Sequence, residues 1–192
     1  MPMYQSLLSR LGRALETAGV PYMVIGGQAV LLHGEPRLTR DIEITLGVDA
    51  SELKRVRAAM DGIGLAPAVP DVEGFVRTTN VLPVSDPASG VRVDLIFSFT
   101  PYESEAIRRS VGIVFNGVTV RFASVEDLIV HKLVAGRARD IEDVAGLLAR
   151  HPSLDEAYLI PWLVSFRDIV HRDLVAELIE LKRQRDSAGK TL

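Results

Sequence analysis

The chain of 192 residues contains no cysteine. This absence excludes disulfide bonds, thiolate catalysis and cysteine-ligated zinc. No apolar run approaches the roughly 20 residues that a membrane-spanning helix needs, so no membrane association is expected. The first residues lack the basic and apolar regions of a signal peptide, which together with the missing cysteine predicts a cytoplasmic protein. The net charge of −3 argues against a surface that binds nucleic acid over its whole extent.

Two familiar phosphate-binding motifs are also missing. No strand is followed by Gly-x-Gly-x-x-Gly, and no complete Walker sequence Gly-x-x-x-x-Gly-Lys-Ser/Thr is present. Dinucleotide-binding and P-loop proteins are therefore excluded, and any nucleotide site must be built differently.

The pattern of elements changes near residue 123. Strand-like and helical segments alternate over residues 1–123, whereas residues 124–192 are helical throughout. This order predicts an α/β (α+β) fold, with a small mixed sheet flanked by helices at 1–123 and a C-terminal helical cap at 124–192.

Several shorter segments carry local signals. Phe75–Val81 is β-prone and predicts a short strand, and the turn formers over Pro83–Gly90 predict a loop. Asn116-Gly117 between two β-prone runs predicts a tight hairpin. In the helical part we expect a Ser153–Glu156 capping box, a kink or break at Pro161 and a final helix over Val170–Arg185.

The stretch Tyr22–Leu46 carries the clearest chemical signal. An apolar run is followed by Gly26 and Gly27, and the chain then reaches Asp41-Ile42-Glu43. Side chains alternate along a strand, so Asp41 and Glu43 share one face with α-carbons roughly 7 Å apart. Acids held side by side usually bind a cation, although strand-edge acids that face water give the same pattern.

The two glycines have a possible role of their own. Without β-carbons, Gly26 and Gly27 let the backbone approach a phosphate closely, and the helix that follows offers unpaired N–H groups to it. A plain strand-to-helix turn would use glycine in the same way. We therefore predict nucleotide binding by these glycines only in combination with the acids.

Asp94, within Val91–Phe97, is the best candidate for a third acid. If its strand lies beside that of Asp41 and Glu43, three carboxylates converge. Hard oxygen ligands of this kind suit Mg²⁺ or Mn²⁺ rather than zinc. Two such ions can grip a triphosphate and activate an attacking hydroxyl, so three acids that converge in this way would hold metal and be catalytic.

Taken together, these residues resemble the signature of the DNA polymerase β-like nucleotidyltransferase superfamily. Its pattern is a strand ending in Gly-Gly or Gly-Ser, a helix, a strand with Asp-x-Asp or Asp-x-Glu, and a third acid on a later strand. The tail of the chain is most similar to the abortive-infection type IV toxin (AbiEii-like) branch. Gly27 stands where many members have serine, and Glu43 replaces the commoner aspartate.

The resemblance extends the predicted site into the helical part. Lys132 lies on an apolar helical stripe, and the resemblance implies that it contacts the nucleotide phosphates, although a lysine can also snorkel to a helix edge. Gly136–Val144 resembles the branch's Arg-x-x-Asp-x-x-Asp segment, which implies a catalytic role for Asp140 and a nucleotide-binding role for Asp143. Acids favoured by a helix dipole would give the same residues. Arg37, just before the acid pair, either reaches a triphosphate or belongs to a solvated loop.

The resemblance implies a metal-dependent nucleotidyltransferase that moves a nucleoside monophosphate from an NTP to an acceptor hydroxyl. The acceptor would be tRNA or a protein, with an antitoxin protein as partner, and a small molecule such as an antibiotic is also open. One alternative is a catalytically silent module on the same fold that binds a nucleotide or a partner protein. Another is a purely structural α/β protein.

Overall fold

The computed structural model describes residues 2–35, 38–98 and 100–188, which form two compact units. The first contains the described residues of Met1–Gln28 and Leu38–Ala123, and the second contains those of Ala29–Arg37 and Ser124–Leu192. The predicted α/β class is confirmed, because a mixed sheet and helices make up the described chain. No helix within these ranges combines the length and the apolar character that crossing a bilayer requires.

The first unit contains the sheet. Its strands are β1 (Tyr22–Ile25), β2 (Asp41–Leu46), β3 (Ala66–Pro67), β4 (Val81–Ser85), β5 (Arg92–Phe97), β6 (Val111–Phe115) and β7 (Val118–Phe122). In the described residues these seven strands lie in the order β3-β4-β5-β2-β1-β7-β6. The helices are α1 (Pro2–Thr17), the start of α2 (Gly26–His33), α3 (Leu53–Asp61), α4 (Val72–Thr79) and α5 (Pro101–Arg108), with a short 3-10 turn at Ala50–Glu52.

Strand β2 lies at the centre of the sheet, antiparallel to β1 and parallel to β5. Ile44 of β2 and Leu95 of β5 are register partners on one face, and both are fully buried. Tyr22 of β1 lies on the same face, and a side chain added at Gly12 of α1 would meet its hydroxyl at 2.7 Å. Helix α1 therefore covers this apolar face, and the alternating residues point to the other face.

Two local predictions in this unit were wrong. The segment predicted as a strand over Phe75–Val81 lies mostly in α4, because the Asp71 side chain accepts a hydrogen bond from the Gly74 backbone N–H and caps a helix there. The helix ends at Asn80 in the left-handed conformation, and β4 follows at once. The first part of the predicted Pro83–Gly90 loop consequently belongs to β4.

The predicted hairpin is confirmed. Strands β6 and β7 pair antiparallel on either side of Asn116-Gly117, and both turn residues have positive φ, 50° and 76°. This is the conformation that a two-residue hairpin turn of the primed type requires, which explains the Asn-Gly pair.

The second unit is built from α6 (Val125–Ala135), α7 (Ala138–Arg150), α8 (Glu156–Val170) and α9 (Leu174–Ala188), together with the end of α2. Ser124 caps α6 by accepting a hydrogen bond from the Asp127 N–H. The predicted cap at Ser153 is wrong, because Asp155 accepts from the Tyr158 N–H and begins α8.

Helices α8 and α9 bear on two further predictions. Pro161 does not break α8, which continues to Val170, and the kink stays a prediction. The final helix begins at Leu174 instead of Val170, because His171 adopts a left-handed conformation with φ of 53° and ends α8.

Candidate active site

The face of the sheet opposite α1 carries the three predicted carboxylates. In the parallel pair of β2 and β5, Glu43 is the register partner of Asp94, and Asp41 is the partner of Arg92. Partners across a strand pair project to the same face, so all four charged side chains lie on one face. The predicted pairing of the Asp94 strand with the Asp41–Glu43 strand is therefore confirmed.

Polar neighbours that sequence reasoning missed surround these acids. The Thr39 hydroxyl donates to Asp41 Oδ1 at 3.1 Å, and the Gln28 side-chain amide donates to the Asp41 main-chain oxygen at 3.3 Å. Arg92 Nε donates to Asp94 Oδ1 at 2.9 Å. The Arg92–Asp94 spacing of two residues on a strand is a signal that the sequence already contained, because alternation places both on one face.

Gly26 and Gly27 fit closely against the acidic strand. Gly26 has a φ of +61°, and a β-carbon there would lie 1.7 Å from Glu43 Oε2. A β-carbon on Gly27 would lie 2.2 Å from the Thr39 hydroxyl oxygen. The left-handed backbone at Gly26 therefore favours glycine, and a side chain there would displace the Glu43 carboxylate.

The fit of these residues to a divalent cation is partial. Three carboxylates on one face of adjacent strands are the right ligand type for Mg²⁺ or Mn²⁺. Within the described ranges, however, no three side chains among His, Cys, Asp and Glu are grouped as a metal centre. Asp41 accepts a hydrogen bond from Thr39 and Asp94 from Arg92, so the acids fit a divalent cation by ligand type and strand position only.

In the second unit, Lys132, Asp140 and Asp143 form a buried ionic cluster. Lys132 Nζ lies 2.7 Å from Asp140 Oδ1 and 2.9 Å from Asp143 Oδ2, and the three side chains are at most 10% exposed. The Arg137 backbone N–H donates to the second Asp140 oxygen at 3.3 Å. The structure thus brings together the three residues predicted in this part, and an ion triad explains how a lysine occupies an otherwise apolar stripe.

Asp127 and His131, which precede Lys132 on α6, are also polar groups in the helical unit. Asp127 is fully buried and accepts hydrogen bonds from the Ser124 hydroxyl at 2.7 Å and the Tyr158 hydroxyl at 2.6 Å. Burial, with a smaller contribution from the charge of Lys132, lowers the pKa of His131 to about 4. His131 is therefore neutral at physiological pH, which agrees with a structural role for this histidine.

The remaining predicted residue cannot be placed. Arg37 lies outside the described residues. Arg40, the next arginine along the chain, is described and is exposed.

A separate cavity of about 750 Å³ lies in the first unit between α1 and α3. Arg10, Arg13 and Arg55 line it together with small residues such as Ala14 and Ala58. None of the predicted acids lines this cavity, and α1 packs on the apolar face of the sheet, so the cavity is not part of the acidic site.

Comparison with solved structures finds two with a similar fold. The crystal structure of an antigenic nucleotidyltransferase-like protein from Paracoccidioides brasiliensis is similar with a TM-score of 0.52 and 18% identity, over 91% of this chain and 91% of that chain. That of ANT(2")-Ia in complex with adenylyl-2"-tobramycin is similar with a TM-score of 0.56 and 17% identity, over 86% of this chain and 98% of that chain. At these identities the likeness shows the fold.

No curated protein gives a significant sequence match. The profile described as "Nucleotidyl transferase AbiEii toxin, Type IV TA system" matches residues 8–187, nearly the whole chain. The resemblance that the sequence motifs indicated is thereby confirmed, and this chain belongs to the AbiEii nucleotidyl transferase toxin family.

Proposed function

We propose that this nucleotidyltransferase moves a nucleoside monophosphate from an NTP to an acceptor hydroxyl in a reaction that depends on Mg²⁺ or Mn²⁺. The observation that supports the metal requirement is the register of β2 and β5, in which Asp41, Glu43 and Asp94 share one face next to Gly26. A cytoplasmic location, where NTPs are available, remains a prediction.

The three acids would hold the metal, which when bound supplies positive charge to the phosphates and steadies the leaving pyrophosphate. Asp94 would also accept the proton of the attacking hydroxyl. The hydroxyl oxygen forms a bond to the α-phosphorus, the bond to the β-phosphate oxygen breaks, and pyrophosphate leaves. Gly26 and Gly27, at the start of α2, would bind phosphate oxygens through backbone N–H groups.

A further part of this proposal concerns the second unit and comes from the family resemblance. Lys132 is proposed to contact the phosphates, and Asp140 and Asp143, which bind its ammonium group, are proposed to fix it in one orientation. Asp140 is also the proposed catalytic residue of this unit and Asp143 a nucleotide-binding one. The proposed contact of Arg37 with the triphosphate rests on its position in the sequence alone.

For the acceptor we propose tRNA or a protein, with the chain acting as the toxin of a toxin–antitoxin pair. The family membership supports this choice, because the family is described as a type IV toxin. A small-molecule acceptor is the alternative, since the ANT(2")-Ia structure contains an adenylylated tobramycin.

A catalytically silent binding module is the second candidate function. It is favoured by one observation: Asp94 is paired with Arg92, and the acids of this face are not grouped around one point among the described residues. Such a protein would bind a nucleotide or a partner without transferring the nucleotide.

The metal site is tested with the double variant Asp41→Ala/Glu43→Ala. We expect it to lose metal-dependent NTP binding in calorimetry, because two of the three proposed ligands are removed. The matched control is Glu52→Ala/Asp61→Ala, which removes two exposed acids that form helical ion pairs in the same unit. If the first variant binds the metal and NTP as the control does, the assignment of the metal site is wrong.

Transfer itself is tested by incubating the wild-type protein with labelled NTPs, Mg²⁺ and total cell extract. We expect label in RNA or protein, and none with the Asp41→Ala/Glu43→Ala variant. Label in a small-molecule fraction would support the antibiotic-type acceptor instead. NTP binding without any transferred label would favour the silent module.

A further inference from the structure

We propose that Arg92 is a positioning residue that neutralises Asp94 in the metal-free protein and is released to the triphosphate when metal and NTP bind. This inference rests on the proposed metal site. It assigns a role to a residue that lies within the acidic face but is not one of the proposed metal ligands.

The strand register places Arg92 among three acids. On β5 it lies two residues before Asp94, and its register partners are Asp41 on β2 and Ser85 on β4. Asp94 is in turn the partner of Glu43. The groups that face the guanidinium from its own strand and its neighbours are therefore three carboxylates and one hydroxyl.

One acid of the proposed metal site, Asp94, is already paired with Arg92. Arg92 Nε lies 2.9 Å from Asp94 Oδ1, so a positive charge already sits where a metal ligand is proposed. The Arg92 side chain is 57% exposed and that of Asp94 is 21% exposed. The guanidinium can therefore rotate into water at little cost, whereas the carboxylate keeps its position and needs a counter-charge.

A divalent cation competes well against such a pair. Exposed ion pairs contribute little, and a cation of charge +2 interacts more strongly with three carboxylates than one guanidinium does. Once displaced, Arg92 remains on the same face as the metal ligands. A guanidinium binds phosphate oxygens in a forked geometry, so a triphosphate brought by the metal would become its new partner.

This exchange predicts that Arg92 has opposite effects on two affinities, that for metal alone and that for metal with NTP. Arg92 should weaken the binding of metal alone, because it competes for Asp94. It should strengthen the binding of metal with NTP, because it then contacts phosphate. A residue that only stabilises the strand would change both affinities in the same direction.

The test compares Arg92→Gln with Arg77→Gln, an exposed arginine of α4 in the same unit. Both variants remove one positive charge, so the comparison separates the local effect from the change in net charge. In calorimetric titrations with Mn²⁺ alone, we expect Arg92→Gln to bind about twofold to fivefold more tightly than either the wild type or Arg77→Gln. With Mn²⁺ and a non-hydrolysable ATP analogue, we expect Arg92→Gln to bind about tenfold more weakly.

Arg92→Lys is a second variant that keeps the charge, and it should return the Mn²⁺ affinity toward the wild-type value. Circular dichroism verifies that all variants are folded. Mn²⁺ binding by Arg92→Gln that is equal to or weaker than that of Arg77→Gln overturns the inference while leaving the metal site intact. Absence of Mn²⁺ binding by the wild-type protein would instead overturn the proposed metal site, and the role of Arg92 with it.

Discussion

Replacement of Gly26 by alanine tests the contact between the glycine turn and the acidic strand. The backbone φ of +61° costs an L-residue about 1–2 kcal/mol. The new β-carbon would stand 1.7 Å from Glu43 Oε2, and ordinary contact begins at 3.4 Å, so the carboxylate has to retreat by roughly 1.7 Å. The displaced group is the end of a flexible side chain, so most of the cost to stability comes from the backbone.

The matched control is Gly19→Ala. Gly19 has a similar φ of +64°, and a β-carbon there meets nothing within 4 Å. In urea unfolding we expect both variants to lose about 1–2 kcal/mol. In Mn²⁺ titration we expect only Gly26→Ala to lose affinity, by about tenfold or more, because only there is a proposed ligand moved.

Two results would refute this reasoning. If both variants keep the wild-type Mn²⁺ affinity, the position of the Glu43 carboxylate does not matter to metal binding. If Gly26→Ala is much less stable than Gly19→Ala, by more than about 2 kcal/mol, the Glu43 side chain cannot move as assumed.

Two further predictions concern the second unit. The pKa of His131 is about 4 in the folded protein and 6.5 in the unfolded chain. Between these pH values the unfolded chain binds a proton that the folded protein does not bind. The free energy of unfolding should therefore fall by about 2 kcal/mol from pH 7 to pH 5. Urea unfolding at the two pH values checks this, and His131→Gln should show a correspondingly smaller pH dependence; an unchanged dependence would contradict the shift. Asp140→Ala leaves the buried ammonium of Lys132 with Asp143 alone, so we expect a loss of about 3 kcal/mol at pH 7, and a loss below about 0.5 kcal/mol would show that the cluster tolerates a single partner.

The parts of the fold that were predictable are those with a repeated or paired signal. The alternation of acids and aliphatic residues in Asp41–Leu46 predicted β2 and its buried face. Asn116-Gly117 predicted the hairpin, because few turn types fit two strands and these residues suit them. The pairing of β2 with β5 was only a condition of the three-acid site, since no local pattern specifies which strands pair.

The wrong predictions of secondary structure depend on single residues. In α4, the β-prone residues around Phe75 suggested a strand, yet the side chain of Asp71 caps a helix and Asn80 ends it. Buried Val72 and Val76, four residues apart, carried the helical period, but over only eight residues that signal is weak.

The sequence predicted the acids of the candidate site but not the residues that form hydrogen bonds with them. Thr39 and Arg92 each lie two residues from the acid they contact, a spacing that is visible in the sequence, whereas the Gln28 contact joins α2 to the main chain of β2. The Gln28 hydrogen bond depends on tertiary placement, which a single sequence does not encode locally.

Because the second unit is built from two separate segments of the chain, its gene cannot be divided at one point. The second unit includes the segment after Gln28 as well as the C-terminal helices, and the two parts are joined by His151 Nε2 with the His33 carbonyl at 2.8 Å and by Arg150 with Glu35 at 2.9 Å. A gene fragment that begins at residue 124 would encode helices without the stretch that binds them. Recombination therefore cannot transfer the second unit to another protein as one continuous segment. The stretch after Gln28 and the C-terminal helices have to be inherited together.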